Sequence, residues 1–354
     1  ETYNVAVGHS AGLAVTTGIR NTIVGALAGD ALTDADLNVV MGYNALSSDT
    51  LGSGAVAIGQ GALNTQNFTT ATTSYNVAVG YNAGGGTTTG ISNTLIGGLA
   101  GDALTDADSN VAVGYNSLST NTLGSACTAV GSGALFAHNV TSAALTYNTA
   151  VGYDAGNAVT TGVQNTLIGG LAGDALTTGS GNVLVGYNLS MGNVATDQTI
   201  CIGYGIASAG SNNVKIGTAA GTATLGLDGS DTSWAAASDE RLKKDVATST
   251  AGLSFIKDLR PITYKWKAKD AVANTLPQYD ADSSDPVYGS GKTQHGFIAQ
   301  EVKAAIDSHS EIKNGFSMWV EDPDGTQQVA PSALVPMLVK AIQELEARIA
   351  TLEG

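Results

Sequence analysis

Short apolar runs closed by glycine recur from Val5 to Gly217. The closing glycines are Gly8, Gly25, Gly42 and Gly59, then Gly80, Gly97, Gly114 and Gly131, then Gly152, Gly169, Gly186, Gly203 and Gly217. Most steps between them are of seventeen positions; two are of twenty-one and the last is of fourteen. A longer period contains the shorter one. Tyr3-Asn4-Val5-Ala6-Val7-Gly8 returns from Tyr75 and again, as Tyr-Asn-Thr-Ala-Val-Gly, from Tyr147, with equal spacing. Each run is β-branched and about four residues long, which predicts a strand. The glycine predicts a corner with positive φ or a close backbone approach. Asn, Thr, Ser, Asp and Gly between the runs predict turns. One rung cannot bury its apolar face, whereas thirteen stacked rungs bury a continuous one. The pattern predicts a mainly β fold over residues 1–220, a β-roll or β-solenoid.

Beyond it the periodicity changes. Residues 221–237 read as a linker and 238–354 as a separate α+β domain. Leu253, Ile256 and Leu259 fit one face of a short helix that Pro261 ends. Ile262–Trp266 alternates as a strand, 268–293 reads as a long polar loop, and His295–Val302 starts the next element, followed by a helix through Ile306. Ser317–Val320 reads as another strand. From about residue 334, Leu338, Ile342, Leu345, Ile349 and Leu352 form a seam of about two heptads, which predicts a short coiled coil.

Composition marks the same seam. Residues 1–237 contain no proline and two basic side chains, Arg20 and Lys215; all six prolines and the other thirteen Lys and Arg follow. Proline is excluded where every amide must pair with the next rung. The formal charge of −15 argues against a nucleic-acid partner and against an anionic membrane surface. No apolar run reaches the ~18 residues of a membrane-spanning helix. Residue 1 is Glu rather than Met, so the chain is expected to be a fragment or processed. Cys127 and Cys201 have no metal or disulfide spacing and read as small core residues.

Two resemblances follow from these motifs. The rungs Asn-Val-Ala-Val-Gly and Ala55-Val56-Ala57-Ile58-Gly59 resemble the head repeats of trimeric autotransporter adhesins, although the commonest step here is longer than is usual there. That resemblance covers the repeats alone and implies a trimeric β-roll. In the second half, Ser238-Asp239-Glu240-Arg241-Leu242-Lys243-Lys244, Leu259-Arg260-Pro261, Tyr264-Lys265-Trp266 and Gly296-Phe297-Ile298-Ala299-Gln300-Glu301 stand in order before the Leu-rich helix. These resemble the C-terminal intramolecular chaperone of phage tail fibres and tailspikes, the S74 peptidase. The resemblance implies a domain that trimerises, guides folding of the fibre and then cuts itself off between Ala237 and Ser238. The implied dyad is Ser238 and Lys243. The loop at 268–293 departs from the family pattern.

The residues make that chemistry feasible. A serine hydroxyl needs a base to take its proton, and lysine serves when its amine is unprotonated. A gap of five positions does not align on one helical face, so the pair needs a turn entering a helix. Without the resemblance, Ser-Asp is an ordinary helix N-cap and Lys243 a solvated side chain. His295 has two readings, a group that orients or protonates the site and a structural histidine. Asp30, Asp34, Asp36, Asp106 and Asp108 recur in turns and raise the question of calcium; Thr178 and Ser180 in the third copy favour turn closure, so no metal and no cofactor is expected. Tyr43, Tyr81, Tyr115, Tyr153, Tyr187 and Tyr204 follow rung glycines and read either as packing between rungs or chains or as a ladder for sugar rings.

The expected function is the receptor-binding distal segment of a phage tail fibre. It is a homotrimer joined to the rest of the fibre, located in the virion, and meets a host surface glycan or outer-membrane component. The long loops 60–74 and 132–146 are the expected contacts. A bacterial trimeric adhesin and a glycan-depolymerising tailspike are the alternatives. Paired carboxylates in a groove, which the latter needs, are not evident in the repeats.

Overall fold

The structure is a computed structural model that describes residues 2–191, 195–208, 210–226, 235–236, 240, 243–276, 278–288, 291–313, 316–322 and 325–354, with backbone alone at 235–236. It divides into two compact units, Glu1–Ser238 and Asp239–Gly354.

The first unit is a β-solenoid. Thirteen strands, from Val5–Val7 to Asn213–Thr218, pair in parallel and in chain order within one long sheet, skipping only short side strands. The register keeps like positions together: Ala6 faces Ile23, which faces Val40, which faces Ala57. From Ile23 to Cys201 this middle residue points inward and is buried, with Ala78, Leu95, Ala112 and Ala129 at 0% exposure; Ala6, in the first rung, is exposed. Small side chains in this column, with Leu32, Leu63, Leu104 and Leu135 from the turns, fill a narrow core. Lys215 takes the middle place in the last parallel strand, opposite buried Cys201. A charged side chain there closes the apolar column, as end rungs of repeat proteins require.

All thirteen closing glycines have φ between +124° and +152°. They also lie directly over one another. A Cβ on Gly8 would come within 2.5 Å of the Gly25 carbonyl oxygen, and one on Gly25 as near that of Gly42. The sequence therefore needs glycine twice over at each rung, for conformation and for space.

Stacking is reinforced by a buried polar ladder. Asn21 and Asn38, Asn76, Asn93 and Asn110, and Asn148, Asn165 and Asn182 precede the strands and are fully buried. Asn93 shows the geometry. Its amide donates to the Ala107 carbonyl at 2.8 Å, and its oxygen accepts the Asn110 backbone amide at 3.0 Å. One side chain thus ties its own rung across the turn and holds the rung after it. Each group left unpaired in such a place would cost about 1–3 kcal/mol. Ala55, Cys127 and Thr199 interrupt the ladder after each run of asparagines.

In the two longest steps the extra residues fold into the solenoid wall. Gly52–Ser53 pairs with Thr72–Thr73, and Gly124–Ser125 with Ala144–Leu145. Phe68 and Val140 are tucked in at 6% and 8% exposure, while residues 141–145 are exposed. Within 221–237, which composition marks as a linker, Gly221–Gly226 folds back antiparallel on Asn213–Thr218, and Ala235–Ala236 pairs with it in turn. Thr222 and Thr224 give this segment the β-propensity that a low-complexity linker lacks.

Among its described residues the second unit has three α-helices, α1 (Leu253–Asp258), α2 (Ala299–Ser308) and α3 (Val335–Glu353), and two antiparallel strand pairs. Phe255, Val302, Ile306, Met318 and Met337 form its core. The strand expected over Ile262–Trp266 stops at Tyr264, and the one expected over Ser317–Val320 spans Trp319–Glu321. Trp266 instead turns edge-on to Tyr264 and Tyr288, with ring centroids 5.2 and 4.9 Å away. Gly252 has no side chain to cap α1; Glu344 of α3 accepts the Leu253 amide at 2.9 Å in its place.

Candidate cleavage seam and exposed faces

Ala237 and Ser238 lie outside the described residues, so the expected scissile bond is located only in sequence. The strand Ala235–Ala236 before it is held against Gly221–Gly226, with Ala236 opposite Ala223. After it, the Lys243 amide donates to the Glu240 carbonyl at 3.0 Å. That is a one-turn bond. Lys243 is exposed, as is Lys244. His295 stands exposed on the strand Gln294–Gly296, opposite Thr263.

Motifs far apart in sequence meet in this unit. Arg260 of Leu-Arg-Pro forms a two-pronged ion pair with Glu301 of Gly-Phe-Ile-Ala-Gln-Glu, its Nε donating to Oε2 at 2.9 Å. Hydrogen bonding to Arg260 holds the Glu301 carboxyl below its ordinary pKa, and Glu301 raises that of Arg260. Tyr264 pairs with Gln294, which sets Tyr-Lys-Trp beside His-Gly-Phe. These contacts give a physical reason for the order of the motifs: each supplies one side of a shared packing contact.

Sequence reasoning misses His309. Its Nε2 lies 2.8 Å from Asp258 Oδ2 at the end of α1, and its Nδ1 lies 3.1 Å from Glu311 Oε1. The ring packs edge-on against Phe255, centroids 5.5 Å apart. Bonding to Asp258 raises the His309 pKa, with Glu311 adding to it and burial opposing. The folded pKa exceeds the unfolded value, so this contribution is complete at acid pH and is lost as pH rises through the raised value. Thermal unfolding of the full chain should show the second unit weakening as pH rises above the ordinary histidine value of 6.5, by about 1 kcal/mol or less. His309→Gln should flatten that dependence; an unchanged pH profile in the variant would remove His309 from the account.

The acidic turns have a local use. Asp36 accepts the Ile19 amide and Asp108 the Ile91 amide, both at 2.8 Å. In the third copy Ser180 Oγ accepts the Val163 amide at 3.1 Å. Serine fills the place without a charge, so the position requires an acceptor rather than an anion. Asp34 and Asp106 accept from Thr17 and Thr89 one rung earlier. Asp30 and Asp102 each keep one buried oxygen without a partner.

Two kinds of apolar face remain uncovered. On the solenoid, the first and third residues of each strand point outward. The outward position in register with Val7 is Val, Ile or Met in all thirteen strands, and Val7, Met41, Ile96, Ile168 and Ile216 are exposed. On α3, Leu338, Ile342, Leu345, Ile349 and Leu352 are all exposed, from 43% to 86%. Among the described residues the heptad seam therefore has no partner. The tyrosines that follow the rung glycines are also exposed, and Tyr187 stacks on Tyr204 at 5.6 Å.

Residues 238–310 match the family model Peptidase_S74, described as the chaperone of endosialidase. No curated protein and no solved structure matches the chain. A β-solenoid followed by this chaperone segment is the arrangement of a fibre- or tailspike-like protein with an intramolecular chaperone, and the family implies a chaperone peptidase that cleaves itself.

Proposed function

We propose that the chain is the distal, receptor-binding segment of a phage tail fibre. Three copies assemble side by side, the C-terminal unit aligns them, and it is then released by attack of Ser238, with Lys243 as base, on the Ala237 carbonyl. The hydroxyl proton passes to the lysine amine, an ester forms as the peptide C–N bond breaks and the freed Ser238 amine takes that proton from the lysine, and water then hydrolyses the ester. The released solenoid stays in the virion and meets the host surface.

The observation that carries the assembly is the pair of outward columns, β-branched but for Met41, that run the whole length of the solenoid. A soluble protein seldom leaves so long an aliphatic face to water. In a closed threefold arrangement each copy covers the face of the next and rung meets like rung. The unpartnered seam on α3 repeats the same need at the other end of the sequence, with too few heptads to hold alone.

Light scattering of the intact chain should give about three times the 35.4 kDa protomer. The double variant Ile96→Asp with Val113→Asp places two carboxylates on the middle of the face, and should abolish the trimer. A folded wild-type monomer at micromolar concentration would end this reading.

A further inference from the structure

The residues directly after the rung glycines form a column of their own. Along rungs three to eleven they read Tyr43, Gln60, Tyr81, Gly98, Tyr115, Ser132, Tyr153, Gly170 and Tyr187. Tyrosine alternates with a small or polar residue without exception. The parallel register places these residues one above another. Adjacent rungs lie about 4.8 Å apart, so the tyrosines recur about every 9.6 Å.

The small residues make room for the rings. The Tyr115 Cδ2 lies 3.6 Å from where a Cβ on Gly98 would be, and Tyr187 leans over Gly170 in the same way at 3.4 Å. Each ring thus reclines over the rung before it and keeps an open side, with exposures of 49% to 63%. Tyr204 adds a stacked partner to Tyr187 at one end.

Every tyrosine of the alternating set is followed by a polar residue: Asn44, Asn82, Asn116, Asp154 and Asn188. These sit in the left-handed region, with φ from +50° to +58°. Among the described residues the side-chain amides of these four asparagines have no hydrogen-bond partner within the chain, in contrast to the buried asparagine ladder. The intervening rungs carry leucine or glycine at that place. The column therefore offers a flat aromatic surface and a free amide together, on every second rung. None of its members except Asp154 bears a charge, and residues 1–237 hold thirteen acidic against two basic side chains.

We propose that this column is a binding ridge for a neutral, linear glycan of equatorially linked hexopyranoses, lying along the stack of rungs. Such a polymer advances by close to one rung per sugar, so every second ring meets a tyrosine. The apolar C–H face of that ring stacks on the phenol, and its hydroxyls bond the neighbouring amide. An anionic polymer would be repelled by the acidic surroundings. The outward column of Val, Ile and Met beside the ridge suits a dry contact between copies of the chain; phenols and free amides suit a wet rim.

The proposal rests on the receptor-binding reading and deepens it, but is tested apart from it. The full chain would be titrated calorimetrically with β-1,4-linked oligomers of glucose and of N-acetylglucosamine, two to eight units long. Affinity should climb in steps of two sugars, by up to about tenfold per added tyrosine contact. Tyr81→Ala, Tyr115→Ala and Tyr153→Ala should each weaken the octamer about five- to tenfold, and Tyr115→Phe much less. The failure of both series at millimolar concentration would overturn the proposal, as would binding that survives the triple alanine variant. Nitration supplies a further check: if tetranitromethane leaves these tyrosines untouched in the native protein, a second copy covers them and the ridge is an interface. Loss of host adsorption with oligosaccharide binding intact would count against the fibre reading alone.

Discussion

Ser238→Ala should give a full-length chain that folds and assembles but never separates into two pieces. Lys243→Ala should behave alike, and the double variant should be no worse than either, because nucleophile and base act as one unit. Cleavage should slow by about a thousandfold or more in each. Lys243→Arg should fail as well, since a guanidinium stays protonated and takes no proton. Lys244→Ala, one position outside the dyad spacing, should leave cleavage nearly intact. Only the unprotonated amine accepts the serine proton, so the rate should fall in acid. Mass spectrometry of the products should find a new N-terminus at Ser238. Wild-type chain that remains whole through long incubation at neutral pH would leave a chaperone without a peptidase.

Gly114→Ala should be among the most damaging single changes in the solenoid. Gly114 has φ +135°, and an added Cβ would lie 2.6 Å from the Gly131 carbonyl carbon and oxygen and 2.9 Å from the Ser132 amide. The contacts are all backbone, so no rotamer change relieves them. The left-handed conformation alone costs about 1–2 kcal/mol. Prising two rungs apart would also break the paired strands on both sides, for a total of about 4 kcal/mol or more. The control is Gly221→Ala, where nothing lies within 4 Å of the new atom and φ is not positive. Differential scanning calorimetry should separate the two clearly; equal melting temperatures would refute the glycine-stack argument.

What can be read from the sequence depends on whether a position repeats. The thirteen glycines are visible because φ and space leave one residue type there, and all thirteen adopt the expected conformation. The heptad seam is equally plain, and α3 carries it. The asparagine ladder is less legible. Polar residues are ordinarily read as surface, and the sign of burial is only their recurrence one residue before most of the parallel strands. The leucines at left-handed corners, such as Leu46, Leu63 and Leu118, give no sign at all: leucine has no preference for φ near +50°, and stacking imposes it. In the second unit the motifs are legible but not their partners. Arg260–Glu301 and His309–Asp258 join residues 41 and 51 positions apart, and no local pattern encodes such pairs. Ser238 itself lies outside the described residues, so the dyad rests on spacing and family resemblance.

The long period has a consequence for how such a protein can change length. Four rungs make one period, and four is even. Duplication or loss of a whole period leaves odd rungs odd, so tyrosines remain above glycines, the ladder keeps its interruptions, and the wall insertions keep their place in the cycle. Adding one rung preserves the glycine stack and the strand pairing but reverses parity beyond the join. Tyr would then follow Tyr, or Gly follow Gly, at that point. The backbone counts in single rungs while its surface counts in pairs, so growth by gene duplication is quantised by the surface and not by the fold.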